Sequence, residues 1–370
     1  MQKVITKPSY AYGKYEVAGQ QYLNKTDALV ASTKLNAPVH WNFHDEIYSM
    51  YDWSIRPHST LKELYRLRAQ QIRDNYDYVI VHFSGGADSW TVLHSFLSNG
   101  IHVDEVVSRW AFDERKYKDA NNIDQREFNV TSEYEFAALP VLKEIEKRYP
   151  QTHIHIDDYS KEYQNEVTEG AFRHSGLYTT LGTFYRFSRK SPYEQAAAES
   201  GKRIAVVYGF DKIQYCTIDN NVYAYFVDRF GGTDLDPARN VEAFYWSPLL
   251  PEIPILQAHE MKSYYEKTPS ESLNYFTRVA YVKTCYPDYN INTFQVGKPL
   301  GSEIWQSELW IHKHNPRYVQ SWQWALKQYT PNIDPVHCEY LSKFRLGYKT
   351  NRSNLYYVGK FNPEPQNTGQ

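Results

Sequence analysis

The chain has 370 residues, enough to bury a large core in one domain with additions or in two smaller ones. Forty-one Lys and Arg against 43 Asp and Glu leave a formal net charge of -2, so no global positive field gathers nucleic acid, although a local basic groove stays open. Three cysteines, Cys216, Cys285 and Cys338, stand far apart with no C-x-x-C pair, and no stretch approaches a membrane helix or a signal-peptide core, so we expect a cytoplasmic protein without a disulfide framework, zinc ribbon or membrane anchor.

Residues 1–59 mix Tyr, Trp, Pro and His without a sustained period, which predicts an irregular extension with one helix over 25–35. At 60–74, TLKELYRLRAQQIRD sets Leu61, Leu64, Tyr65 and Leu67 on one helical stripe behind an N-cap at Ser59 or Thr60. YVIVHF at 78–83 is a short β-branched and aromatic run, the pattern of a strand covered on both faces. The next run, 87–98, carries Val92, Leu93, Phe96 and Leu97 at helical spacing and stops at Asn99-Gly100. A second strand is expected over 103–108, then a helix over 132–148 with Ser132 and Glu135 as a capping box and Pro140 out of place inside it. A strand over 153–156, a helix over 193–201 and a strand over 203–208 ending at Gly209 complete the series.

This alternation predicts an α/β fold, a Rossmann-like parallel sheet flanked by helices. Ligands of such sheets sit at the carboxyl ends of strands, where the turns after Phe83 and Tyr208 fall. Beyond 210 the period breaks down into a mixed, largely helical region: a strand and turn over 220–232, a helical stretch over 257–283 interrupted at Pro269, and a helical pair over 305–329. The tail from 362, rich in Pro, Gln and Asn, reads as disordered. The expected organisation is an extension at 1–59, a nucleotide-binding unit at 60–215, an acceptor region at 216–361 and a tail at 362–370. Thirty-four tyrosines and nine tryptophans, four of them at 305, 310, 322 and 324, suit binding surfaces, but an aromatic core is the simpler reading.

The loop at 84–89, SGGADS, carries the chemistry. It leaves a strand and opens a helix, so the first N–H groups of that helix, with their partial positive charge, point into the turn and suit a phosphate. Gly85 and Gly86 let the main chain curve into a concave array of amides, with Ala87 inside it and the Ser84 and Ser89 hydroxyls as added donors. A carboxylate among phosphates implies an intervening cation, so Asp88 points to Mg²⁺; the alternative is an inward hydrogen bond that braces the loop. No G-x-x-x-x-G-K-[ST] is present, which excludes a Walker P-loop.

SGGADS resembles the S-G-G-x-D-S signature of the PP-loop ATP pyrophosphatases, the adenine nucleotide α-hydrolase-like superfamily. From average composition, five such residues recur by accident on the order of once in a few thousand chains of this length. The resemblance covers 76–215 and implies a fold of that type. It implies a loop that cradles the β,γ-pyrophosphate of ATP and exposes the α-phosphorus, with AMP and PPi as products and Mg²⁺ as cofactor. It further implies a second acidic site after the fourth strand, where Asp211 stands as a catalytic and metal-binding candidate and Lys212 as a balance for α-phosphate charge. The segment 107–112 corresponds to the family's adenine-holding backbone, which marks Arg109 and Trp110.

The resemblance identifies the nucleotide chemistry and leaves the acceptor open, whether small molecule or nucleotide, and whether nitrogen or sulfur attacks. Absence of cysteine motifs argues against the zinc-bearing, tRNA-thiolating and ordinary phosphoadenylylsulfate reductase branches, although a reductase-like relative working by another arrangement is retained as an alternative. A nucleotide-binding regulatory module without turnover is the other. Such PP-loop proteins of unassigned acceptor are frequent in bacteria and bacteriophages. Arg173, His174, Arg186, Arg189 and Lys190 around two glycines form either a substrate loop or a solvated basic surface. His153 and His155, His312 and His314, and His337-Cys338 show no zinc spacing.

Overall fold

The computed structural model describes residues 13–23, 25–110, 134–158, 189–209, 213–228, 240–268, 278–289 and 351–363. The chain begins with β1 (Lys14–Val17), β2 (Gln20–Tyr22), α1 (Lys25–Leu35) and β3 (His40–Asn42), with β1 the centre of an antiparallel three-stranded sheet. The extension expected to be irregular is therefore a small folded layer; the helix at 25–35 stands where its sequence placed it. Strands of three or four residues are too short for alternation to register, which hides them from a periodicity argument. A single turn, α2 (Asp45–Tyr48), follows.

Thr60 caps α3 (Leu61–Asn75) with a complete capping box: its hydroxyl accepts from the Glu63 N–H while the Glu63 carboxylate accepts from the Thr60 N–H. The buried stripe of α3 is Leu61, Leu64, Tyr65, Arg68, Ala69 and Ile72, whereas Leu67 is exposed. The expected stripe thus errs at one position. A spacing of 3.6 residues carries 61 and 64 to 68, and the buried Arg68 is charge-balanced there by Glu242 at 2.7 Å.

Next come β4 (Tyr78–His82), α4 (Ala87–Leu97) and β5 (Glu105–Trp110). Gly100 takes the left-handed conformation, and the Ile101 N–H returns to the Phe96 carbonyl at 3.0 Å to close α4. A π-helical turn (Tyr134–Ala138) leads directly into α5 (Leu139–Arg148), and Pro140 stands where the one passes into the other, in the first turn of the α-helical part. Ser132 lies outside the described residues. The series continues with β6 (His153–Asp158), α6 (Pro192–Glu199) and β7 (Ile204–Tyr208).

A hairpin of β8 (Gln214–Ile218) and β9 (Asn221–Tyr225) then turns on Asp219 and Asn220, both with positive φ. β10 (Asn240–Ala243) returns to the central sheet, α7 (Glu252–Lys267) and α8 (Arg278–Cys285) follow, and β11 (Tyr356–Lys360) pairs antiparallel with β9. Residues 305–329, with their four tryptophans, lie outside the described residues.

The central sheet is all parallel, ordered β10-β7-β4-β5-β6. Counted from β4, this is the 3-2-1-4-5 order of doubly wound α/β sheets read from the opposite edge. The fold is therefore α/β, a parallel sheet flanked by helices. β4 is buried along its whole length, as its unbroken apolar run requires. Around it α3 packs against α4 and α7, and the Tyr65 hydroxyl ties α3 to α8 and α7: it donates to the Cys285 carbonyl at 2.8 Å and accepts from Gln257 Nε2 at 2.9 Å. The aromatic residues pack inward: Phe43, Tyr48, Trp53, Phe226, Trp246 and Tyr356 form one buried cluster joining the N-terminal layer to the β8–β9–β11 sheet, with Phe43 and Phe226 centroids 4.9 Å apart. Among the described residues, no helix is long and apolar enough to cross a membrane.

Candidate nucleotide-binding site

The order of the sheet selects one place. From β4 the chain moves outward through β5 and β6, then crosses to the other side of β4 to make β7, so the direction of winding reverses between β4 and β7. Adjacent loops diverge at such a reversal and leave a crevice at the carboxyl ends of the strands. The loop at 84–89 emerges from β4 and Gly209 ends β7, so the two glycine turns marked in the sequence become neighbours here.

The loop is braced by its own serines. Ser89 is buried; its Oγ accepts from the Ser84 N–H at 3.2 Å and donates to the Gly86 carbonyl at 3.1 Å. The Ser84 and Ser89 hydroxyls lie 3.2 Å apart, and Ser84 is exposed. The Ser89 hydroxyl proton is thus committed to the loop itself. Gly85 has φ 82°, a left-handed conformation strained for any residue with a Cβ. Gly86 occupies the N-cap without a side chain to cap the helix, and the first i to i−4 bond is Trp90 N–H to the Gly86 carbonyl at 2.9 Å. The amides of Gly85, Gly86, Ala87 and Ser89 consequently find no acceptor among the described residues, although Gly85, Gly86 and Ala87 are buried. Buried amides without acceptors are rare, and such an array at a helix N-terminus suits an anion.

Asp88 is gripped from outside the loop. The Tyr245 hydroxyl donates to its carbonyl at 2.7 Å, and the Tyr286 hydroxyl donates to its carboxylate Oδ1. A Cβ at Gly209 would stand 2.9 Å from the Asp88 carbonyl oxygen and 3.1 Å from Val92 Cγ2, so only glycine lets β7 end flat against α4. Burial, then the nearby Asp88 charge, pushes the Tyr286 phenol well above the ordinary tyrosine range, so it stays protonated and donates. Neither Tyr245 nor Tyr286 carried a signal in the sequence: they lie 157 and 198 positions from Asp88, among ordinary aromatic residues.

Arg109 and Trp110 end β5, next to the loop, and the Phe83 N–H still bonds the Val107 carbonyl at 2.8 Å at the rim. Their side chains turn into the protein. The Arg109 guanidinium lies 3.3 Å from Asp157 and donates to the Arg189 carbonyl, while Arg189 reaches the other Asp157 oxygen at 2.8 Å. The Trp110 indole donates to Ser108 Oγ at 2.8 Å and its ring meets Tyr134. Asp211 and Lys212 lie outside the described residues, as do Arg173, His174, Arg186, His312, His314, His337 and Cys338. His153 stacks on Tyr193 at 4.2 Å, and among the described residues no group of His, Cys, Asp or Glu is placed to hold a metal alone. Asp88 nevertheless fits Mg²⁺ in the way nucleotide sites hold it, with one or two carboxylates and the rest of the coordination from phosphate and water. No protein-family model matches the chain, and no curated protein is significantly similar to it.

Proposed function

We propose that the protein is an ATP-dependent adenylating enzyme of the PP-loop type, with the 84–89 loop as its pyrophosphate cradle. The carrying observation is the set of buried amides of Gly85, Gly86, Ala87 and Ser89 that find no acceptor among the described residues, at the point where the sheet reverses its winding. These amides hold the β- and γ-phosphoryl groups. A substrate oxygen then attacks the α-phosphorus, the bond to the bridging oxygen breaks, and the negative charge gathering on departing PPi lies against N–H dipoles already oriented for it. A nitrogen or sulfur nucleophile next displaces AMP. Mg²⁺, when bound, neutralises phosphate charge, and Asp88 is the described residue that would hold it. Asp211 is assigned a catalytic and metal-binding role, Lys212 the balancing of α-phosphate charge, and the main chain at Arg109 and Trp110 the adenine.

The decisive measurement is product identity. Incubation with ATP, Mg²⁺ and a panel of acceptors is expected to yield AMP and PPi, and Asp88→Ala to abolish turnover while leaving the circular dichroism spectrum unchanged. ADP and phosphate as products would refute the reading. A second reading, a nucleotide-binding module without turnover, draws on the Asp88 carboxylate already accepting a hydrogen bond from the Tyr286 phenol; tight ATP binding without hydrolysis under any acceptor distinguishes it.

A further inference from the structure

The first two turns of α4 are held by the short segment that follows α8. Tyr286 binds the Asp88 carboxylate, Asp288 meets Lys62 Nζ at 3.0 Å and lies 3.6 Å from His94 Nε2, and the Tyr289 ring meets Trp90 edge-on at 5.3 Å. Tyr286 is 2% exposed, and its ring is confined by Tyr245 at 5.6 Å and by Tyr281 at 5.3 Å, nearly perpendicular. The hydroxyl therefore has a defined position.

The Asp88 main chain does not need this phenol. Its carbonyl is fixed by Tyr245 and its backbone by the close approach of Gly209. What the Tyr286 bond adds is control of the carboxylate: it selects one side-chain orientation on a residue that is only half-buried. A carboxylate offers about four lone-pair sites, so one phenolic bond is compatible with a cation on the same group.

We propose that Tyr286 is a positioning residue, whose buried phenol holds the Asp88 carboxylate in the orientation that receives the cation accompanying the triphosphate. This rests on the reading of the 84–89 loop as an ATP site. Groups that orient a metal ligand from behind typically change metal affinity or activity about 10–100-fold when removed.

Calorimetric titration of the full chain with α,β-methylene-ATP, which cannot be cleaved at the α-phosphorus, separates the two ideas when run in Mg²⁺ and in EDTA. Tyr286→Phe is expected to bind the analogue in EDTA as the wild type does, and to bind the Mg²⁺ complex about 10–100-fold more weakly. In an Asp88→Asn background the same substitution is expected to change nothing further, because the phenol acts through the carboxylate. An unaltered Mg²⁺-dependent gain in Tyr286→Phe overturns the positioning role alone, as does an equal further loss in the Asp88→Asn background. A wild type that binds the analogue in neither condition overturns the loop reading, and the positioning role with it. Should Tyr286→Phe not fold, a crystal structure of the wild type with Mg²⁺ and the analogue decides: the phenol on Asp88 and the cation on the same carboxylate support the proposal, and a phenol turned away or a cation held elsewhere overturns it.

Discussion

Gly209 has no side chain because there is no room for one. A methyl group placed there meets the Asp88 carbonyl oxygen at 2.9 Å and its carbon at 3.0 Å, main-chain atoms at the start of α4 that no side-chain rotation moves. Gly209→Ala is expected to cost about 1–3 kcal/mol, the range for overpacking a well-packed interior. Because the atom displaced belongs to the loop that we assign to ATP, nucleotide affinity is expected to fall along with the melting temperature. A variant that melts lower but binds ATP as tightly as the wild type would separate packing at Gly209 from the site. The glycine was visible in the sequence as the end of a strand. Its contact with Asp88 was not, because one residue follows β7 and the other opens α4, and they meet only when β4 and β7 pair.

At the level of elements, the joint between β5 and α6 carries a buried acid. Glu105 is fully buried at the start of β5, with the Tyr78 hydroxyl 3.3 Å away and the α6 N-terminus, Ser191 and Glu194, beside it. Burial pushes its carboxyl from the ordinary 4.5 up to about 7; Glu194 adds to the rise, and Ser191, Tyr78 and Arg109 oppose it. An acid raised in the folded state binds its proton more tightly there than in the unfolded chain, so its contribution is present at low pH and is lost as pH climbs from about 4.5 to about 7. Chemical denaturation at pH 5 and pH 8 is expected to show Glu105→Gln losing about 2–3 kcal/mol less than the wild type across that interval. Equal losses would mean that Glu105 ionises inside the fold without cost. The same scale shows how far periodicity reaches. On α3 it located the inward face from Leu61, Leu64 and Tyr65, yet it favoured Leu67 over Arg68, because the partner that makes a buried arginine tolerable, Glu242, belongs to β10. Hydrophobicity alone cannot anticipate an ion pair spanning 174 positions.

Across the molecule, Asp45 ties the beginning of the chain to its end. Its carboxylate accepts from the Tyr356 hydroxyl, from the Asn354 N–H and from His40 Nε2 at 2.9 Å, and the Tyr356 ring stacks on Trp53 at 4.4 Å. β11 meanwhile completes the sheet that β8 and β9 begin. Tyr356→Phe preserves the stacking and removes one donor from a buried carboxylate, at an expected cost of about 1–3 kcal/mol. Near-ultraviolet and far-ultraviolet circular dichroism are expected to report one coincident melting transition in both proteins, lower in the variant; separate transitions would show that the N-terminal layer melts apart from the central sheet. The hydrogen bond to Asp45 also raises the His40 pKa, so this tie is complete below about 6.5 and weakens as pH rises through the raised value.

What neighbours along the chain decide was legible in the sequence: the apolar run of β4, the helical spacing of α4, the alternation that makes a parallel α/β sheet, and the glycine-rich turn that opens α4. Each of these follows from residues within a few positions of one another, where steric and hydrogen-bonding preferences act locally. That the sheet takes its fifth strand from 240–243, that Arg68 points inward, and that Tyr245 and Tyr286 close on Asp88 emerges only once the chain is folded. Such contacts depend on how the whole chain closes, and a tyrosine that will meet a carboxylate 198 positions away looks, in the sequence, like any other tyrosine.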